Sequence, residues 1–246
     1  MNDDVFKKMI AISAPTEEEI LKGVQKWESY IKPLLIDQWS EELMSLSVPT
    51  TFLEFPIELA KDWFEREINN TKLEQDFSKT IDTHLNGENK FYRLNSRSPK
   101  DAAISLISNS GSQILRNISG SMRMLDDLSN FSRSVLKPYL CFRDVIDVQP
   151  NNEFRVFIKE GKLLGVSANR GVNIPVAKEM IVANIMCYLE DNYHLLPLDT
   201  IVVDLVFNYS DNSIILLEVN PYGLSDPLLF NDYATLESFS NAFRFV

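Results

Sequence analysis

Two apolar, largely β-branched runs, Ile201-Val-Val-Asp-Leu-Val-Phe207 and Ile214-Ile-Leu-Leu-Glu-Val-Asn-Pro221, flank the polar cluster Asn208-Tyr-Ser-Asp-Asn-Ser213. That pattern predicts a buried β-hairpin turning near Asp211, with Pro221-Tyr222-Gly223 ending the second strand. Side chains alternate along a strand, so Glu218 and Asn220 share a face, and antiparallel pairing brings Asp204 opposite them. A second hairpin is predicted over Asn151 to Ser167, turning at Lys159-Glu-Gly-Lys162. Arg155 lies on one face of it with Glu153 and Phe157.

Helical spacing dominates the N-terminal part. Met1 to about Leu35 reads as helical, with Ile20, Val24, Trp27 and Ile31 forming a stripe and Ser13 or Thr16 as the cap. The stripe is read as packing rather than as a partner groove. Pro33 breaks the pattern, a short helix or turn covers Trp39 to Ser47, and Val48 to Pro56 is extended. Pro56 opens a helix through Ile57, Leu59, Trp63 and Phe64. The stretch Asn69 to Lys90 is polar and weakly patterned, and is read as a short helix with a mobile loop turning at Asn86-Gly87. Phe91 to Asn95 is a strand. Ser98-Pro99 and Asp101 predict a helix start running into Ala102 to Ile107, Ser112 to Leu128 a further helix, and Phe131 to Phe142 a strand interrupted by Pro138. Val176 to Leu189 is an amphipathic helix, and the tail carries Phe239, Phe243 and Phe245, which are expected to pack back onto a lobe.

The chemistry concentrates on the 201–221 hairpin. Asp204, Glu218 and Asn220 place two carboxylates and an amide oxygen on one face of an apolar element. Burying such a set requires basic partners or a metal ion, and oxygen-only donors suit Mg²⁺ or Mn²⁺. The plainer reading is a solvated strand end, but the apolar residues around Glu218 and Asn220 weigh against it. Without a cation, repulsion between Asp204 and Glu218 is expected to favour proton uptake by the pair. Arg93, Arg97 and Lys100 crowd a strand-to-helix junction and form a candidate phosphate site, while a cross-strand salt bridge is the plainer role for Arg155.

Composition narrows the classes. The 246 residues are 45% hydrophobic, enough for one large domain or two lobes. Lys and Arg total 24 against 35 Asp and Glu, a net charge of −11, which argues against general nucleic-acid or anionic-membrane binding. No apolar stretch approaches the ~18 residues of a membrane span, so a soluble, cytoplasmic protein is expected. Cys141 and Cys187 are both expected to be buried thiols. Glycine-rich phosphate loops and a nucleophilic triad are absent.

Three segments resemble the cell division cycle protein 123 family, also called D123, within the ATP-grasp superfamily. They are Phe91-Tyr-Arg-Leu-Asn-Ser-Arg-Ser-Pro-Lys-Asp-Ala102, then Arg143 with Glu153-Phe-Arg-Val-Phe-Ile-Lys159 and Lys162 to Ser167, and finally Asp204 with Leu216 to Gly223 and Asp226-Pro-Leu-Leu-Phe230. The resemblance spans roughly Trp39 to Leu236. It implies an α+β, two-lobed ATP-grasp fold with a nucleotide cleft between the lobes: an N-terminal helical extension (1–38), an N-terminal lobe (39–137) and a C-terminal lobe carrying the metal site (138–246). It further implies that Asp204, Glu218 and Asn220 hold Mg²⁺, with Asp204 and Asn220 also contacting the nucleotide. Arg155 would face the phosphates, and would be the catalytic residue were the chain an enzyme. Tyr139, Leu140 and Cys141 would lie along the adenine as a hinge, with Arg143 in the cleft. The family's phosphate-contacting lysine is Arg93 here, its tryptophan after the Asn is Ser96, and the tryptophan of its Leu-Arg-Lys-Trp element is Val145. ATP and Mg²⁺ are the implied ligands. The implied function is a nucleotide-dependent assembly factor for a protein client, of the translation initiation factor 2 type in eukaryotic relatives. The alternative is an ATP-dependent ligase or phosphotransferase.

Overall fold

The computed structural model describes residues 15–65, 71–102, 104–238 and 242–244. Helix α1 (Glu17–Ile31) begins at Thr16, whose hydroxyl accepts from the Glu19 amide while the Glu19 carboxylate accepts from the Thr16 amide, a reciprocal cap. Of the expected N-terminal helix, residues 1–14 lie outside the described residues. Short 3₁₀ turns at Lys32–Leu34 and Ile36–Gln38 lead into α2 (Glu41–Ser45), β1 (Thr50–Glu54) and α3 (Ile57–Glu65).

Where a short helix and a loop were expected, α4 (Thr71–Leu85) runs for 15 residues. Its apolar positions are sparse but fall four apart, and Phe77, Ile81 and Leu85 are all buried. After β2 (Lys90–Leu94), the helix expected at Ala102 to Ile107 does not form. The chain instead returns along β2 as β3 (Ile107–Ser108), with Tyr92 donating to the Leu106 carbonyl. The Asp101 carboxylate that signalled a local cap serves a later helix, accepting from the Ser121 hydroxyl and the Arg123 amide. The single helix expected over Ser112 to Leu128 is two, α5 (Gly111–Ser119) and α6 (Met122–Phe131), because Gly120 ends one and the Ser121 hydroxyl caps the next at Met124.

Strand β4 (Tyr139–Arg143) starts after Pro138. The predicted hairpins follow as β5 (Glu153–Lys159) with β6 (Lys162–Ala168), and β7 (Ile201–Phe207) with β8 (Ile214–Pro221), separated by α7 (Lys178–Asn192). Glu160 and Gly161 both have positive φ, 50° and 73°, as the two-residue turn between β5 and β6 requires. Helix α7 buries Ile181, Ile185 and Leu189; Cys187 falls on its outer side and is exposed, whereas Cys141 is buried as expected. The chain closes with α8 (Tyr233–Ser238) and β9 (Ala242–Arg244). Of the tail aromatics, Phe243 packs on the core; Phe239 and Phe245 lie outside the described residues.

Two sheets result, a four-stranded antiparallel one in the order β1-β4-β2-β3 and a five-stranded one in the order β8-β7-β5-β6-β9. One face of the first carries Tyr92, Leu94, Leu140 and Phe142 into a core with α3 to α6. One face of the second buries Phe154, Val156, Val203 and Leu205 against α7 and against Leu34, Ile36, Trp39 and Leu43. The expected lobe boundary at 138 falls immediately before β4, which pairs with β1 and β2 in the first sheet. Period-two alternation then leaves Arg93, Cys141 and Arg143 on one side of the first sheet, and Arg155, Asp204, Glu218 and Asn220 on one side of the second. Direct contacts join these two sides.

Candidate functional site

Asp204 and Glu218 are cross-strand partners in β7 and β8, and Asn220 pairs with Val202 one step along. The register shifts beside Asp204, so that Leu205 faces Leu216 and Leu217 is left as the extra residue of a bulge. That bulge brings Glu218 opposite Asp204 and frees the Leu217 carbonyl, which accepts from Arg143 Nη1 at 2.8 Å. Arg143 Nη2 donates to Ser47 Oγ at 2.6 Å, and Ser47 Oγ donates to the Leu216 carbonyl.

Each carboxylate has its own guanidinium. Arg155, the partner of Asp204 on β5, donates from Nε and Nη2 to its two oxygens at 2.7 and 2.8 Å, so the plain cross-strand salt bridge is present and bidentate. Arg93 reaches from the other sheet to Glu218 Oε1, and also donates to the Ser96 and Leu94 carbonyls at 2.9 and 3.1 Å. The Asn220 amide joins the two pairs, donating to Asp204 Oδ2 at 2.9 Å and to Glu218 Oε2 at 3.4 Å.

The Arg93 bond overturns the expected proton uptake at Glu218. Burial pushes the Glu218 carboxyl up, but Arg93, Lys100 and Arg143 more than offset it and hold the carboxyl well below the usual range. Burial lowers Arg155, yet its two bonds to Asp204 raise it further above its ordinary value. Arg143 moves the other way, down to about 10, through burial and then the repulsion of Arg93. Glu153, at the start of β5, is raised by burial and by Asp204.

Between the sheets lies a cavity of about 510 Å³, within the range of small-ligand sites. Its walls are the 104–107 segment, the segment from Arg143 to Val148, Lys100, Glu153 and Glu218. Of the residues expected in the site, Arg93, Arg155, Asp204, Glu218, Asn220 and Arg143 are thus gathered into one network. Of the expected residues, Arg143 and Glu218 line the cavity; Arg93, Arg155, Asp204 and Asn220 join it through the network behind Glu218, and Tyr139, Leu140 and Cys141 are not part of its lining. Leu140 is in the helical core of the first lobe and Cys141 is fully buried beside Arg93, and β4 reaches the cavity at its last residue, Arg143. Glu153 was not among the expected ligands, and Lys100 was expected only as a member of the candidate phosphate site with Arg93 and Arg97. Lys100 carried a signal as one of three clustered cations, whereas Glu153 carried none beyond sharing a face with Arg155. Arg97, the third cation, is spent on Asp126 and Asp127.

The donor chemistry fits a hard cation: two carboxylates and one amide, with no nitrogen or sulfur donors. Among the described residues no group of three or more His, Cys, Asp or Glu gathers to hold a metal, and here the third donor is an amide.

The D123 family model matches residues 60–244, most of the chain. The chain belongs to the D123 family. Cell division cycle protein 123 of Eremothecium gossypii is 30% identical over 165 residues, covering 59% of this chain and 46% of the relative. The translation initiation factor eIF2 assembly protein of Vanderwaltozyma polyspora is 34% identical over 98 residues, covering 37% of this chain and 26% of the relative. The chain spans less than half the length of these curated relatives. Among solved structures, Cdc123 from Schizosaccharomyces pombe superimposes with a TM-score of 0.69 at 20% identity, over 89% of this chain and 97% of that one. The D123 fold is therefore present, with the two α+β lobes expected of an ATP-grasp protein. Among the described residues no helix is long and apolar enough to cross a membrane.

Proposed function

We propose that this D123 protein binds ATP with Mg²⁺ in the cavity between its sheets, and that the bound nucleotide fixes the two lobes for assembly of a protein client in the cytoplasm. The observation that carries this reading is the Arg93 to Glu218 bond. It links a cation of one lobe to a candidate metal ligand of the other at the edge of a nucleotide-sized cavity. Lys100 and Arg143 at the cavity, with Arg93 and Arg155 behind Glu218, supply cationic donors for phosphate oxygens.

In this reading Asp204, Glu218 and Asn220 hold Mg²⁺, which when bound neutralises phosphate charge. Arg155 and Arg93 then orient phosphate oxygens, and Lys100 approaches them from the 98–106 segment. The adenine contact is assigned to the exit segment from Arg143 to Val148, rather than to Tyr139–Cys141. Its apolar members Val145, Ile146 and Val148, with Ile104 and Ile107, line the cavity and supply apolar surface for a base.

The similarity to translation initiation factor eIF2 assembly proteins makes translation initiation factor 2 the client to test. Subunits of that factor from the source cell should be retained on the immobilised protein with Mg·ATP and lost when Mg²⁺ is chelated. Retention that ignores both nucleotide and Mg²⁺ would contradict the nucleotide-dependent reading, and ADP appearing in the same incubation would mark turnover.

A further inference from the structure

Arg155 has a third partner that neither the metal set nor the phosphates explain. Its Nη1 donates at 2.9 Å to the backbone carbonyl of Asp226, on the segment between β8 and α8. That carbonyl is itself held in place. Arg170, in the loop after β6, donates from Nη1 and Nη2 to the two Asp226 carboxylate oxygens at 3.2 and 3.0 Å, and from Nη2 to the Leu228 carbonyl at 2.8 Å. The Leu228 amide closes the turn on Asp226 Oδ1 at 2.8 Å, and the Leu229 amide donates to the buried Ser167 hydroxyl at 3.1 Å. An unbroken series of hydrogen bonds therefore runs from Arg170 through Asp226, Arg155, Asp204 and Asn220 to Glu218.

We propose that Arg170 and Asp226 are a positioning pair for the nucleotide site, fixing the plane of the Arg155 guanidinium on Asp204 without touching the ligand themselves. The proposal rests on the nucleotide reading and deepens it. The physical basis is a contrast in exposure. The Arg170 and Asp226 side chains are 53% and 51% exposed, so their ion pair contributes little to global stability. Arg155 and Asp204 are 18% and 4% exposed, so the orientation of that fork is expensive to lose where it matters for phosphate and metal. A half-exposed ion pair with a small effect on folding can therefore have a larger effect on binding, because it acts through one buried arginine. The Asp226 carboxyl is held below its ordinary value by the Leu228 amide and then by Arg170, so the pair is charged across the neutral range.

Two measurements on the full chain test this. In ligand-free protein, the Arg155 Nε–H signal of a ¹⁵N-labelled sample should exchange with water at least about threefold faster in Arg170→Ala and in Asp226→Asn, while Arg170→Lys lies nearer the parent. In calorimetric titration with Mg·ATP, the same variants should bind roughly three- to tenfold more weakly, with Tm unchanged within error. In an Arg155→Ala background, adding Arg170→Ala should cause no further loss, because the pair acts only through Arg155. An unaltered Arg155 signal, an affinity loss that adds fully in the Arg155→Ala background, or a fall in Tm that tracks the affinity loss would overturn the positioning role. A parent that takes up no Mg·ATP would sink the nucleotide reading, and the ligand-free exchange measurement would still decide whether the pair positions Arg155.

Discussion

Asp204 and Glu218 face each other in register across β7 and β8, yet each carboxylate is neutralised by an arginine from a different sheet. Arg155 holds Asp204 from within the same sheet, and Arg93 holds Glu218 from the other lobe. Glu218 is therefore an element of the contact between lobes as well as a candidate metal ligand. Replacing it by Gln removes the countercharge of an arginine that is 4% exposed. We expect Glu218→Gln to lower the ligand-free stability by about 1–3 kcal/mol, since a buried charge is left uncompensated. Urea denaturation checks this. The opposite outcome, equal or greater stability, is what simple repulsion between the two carboxylates predicts.

The same pairing sets a pH dependence. The Glu218 carboxyl lies below its ordinary value of 4.5 in the folded protein. Its contribution is thus complete above that value and is lost as pH falls through the depressed folded-state value. Thermal melts between pH 7 and pH 3 should show a steeper acid loss for the parent than for Glu218→Gln. Parallel curves would mean that Glu218 is not tied to Arg93 in solution.

Glu153 has the opposite sign. Its carboxyl is raised by burial and by Asp204, so the folded state favours its protonated form and its ionisation at neutral pH costs stability. Glu153→Gln should therefore raise Tm at pH 7 and give no gain at pH 4. A lower Tm at pH 7 would show that its bond from Asn169 Nδ2, at 3.3 Å, outweighs the burial cost.

The position of Arg93 depends on helices whose packing has one tight point. A Cβ at Gly111 would overlap the Ser78 carbonyl oxygen where α5 meets α4, and the Gly111 amide donates to Asp82 at 2.6 Å. Gly111→Ala should cost about 2 kcal/mol or more, measured by denaturation, since backbone must move to relieve the overlap. An unchanged midpoint would show that the two helices separate freely.

The strands of the site were legible because their signal is local. The β-branched runs and the turns at Asn208 to Ser213 and Glu160-Gly161 announce the two hairpins, but the pairings of Asp204 with Glu218 and of Arg155 with Ser167 each depend on a bulge that the sequence pattern does not announce. Sparse or long-range determinants were not. Helix α4 advertises itself only through apolar residues four apart in a polar segment. Asp101 carries a capping signal that is used 20 residues later, at Ser121. The Arg93 to Glu218 bond joins residues 125 apart, and no pattern in the sequence announces it. The hinge expectation at Tyr139 to Cys141 rests on the family resemblance and not on any local pattern. The exit from the sheet at Arg143 depends on where β1 and β2 stop pairing.

Arg93 forms three hydrogen bonds from one planar group, to Glu218 and to the carbonyls of Leu94 and Ser96. A lysine keeps the charge but cannot hold that fork. Arg93→Lys should weaken Mg·ATP binding about tenfold while leaving the protein folded, as read by calorimetry beside a melt. Binding equal to that of the parent would mean that only the charge of Arg93 is used.

The central proposal is that Asp204, Glu218 and Asn220 would hold a divalent cation that neutralises phosphate charge. Its most direct test is calorimetric titration of the parent protein with ATP, once with excess Mg²⁺ and once with EDTA. The account predicts saturable binding with Mg²⁺ that is at least about tenfold weaker in EDTA, a difference of ~1.4 kcal/mol. Equal affinity in the two conditions, or no binding in either, would contradict it.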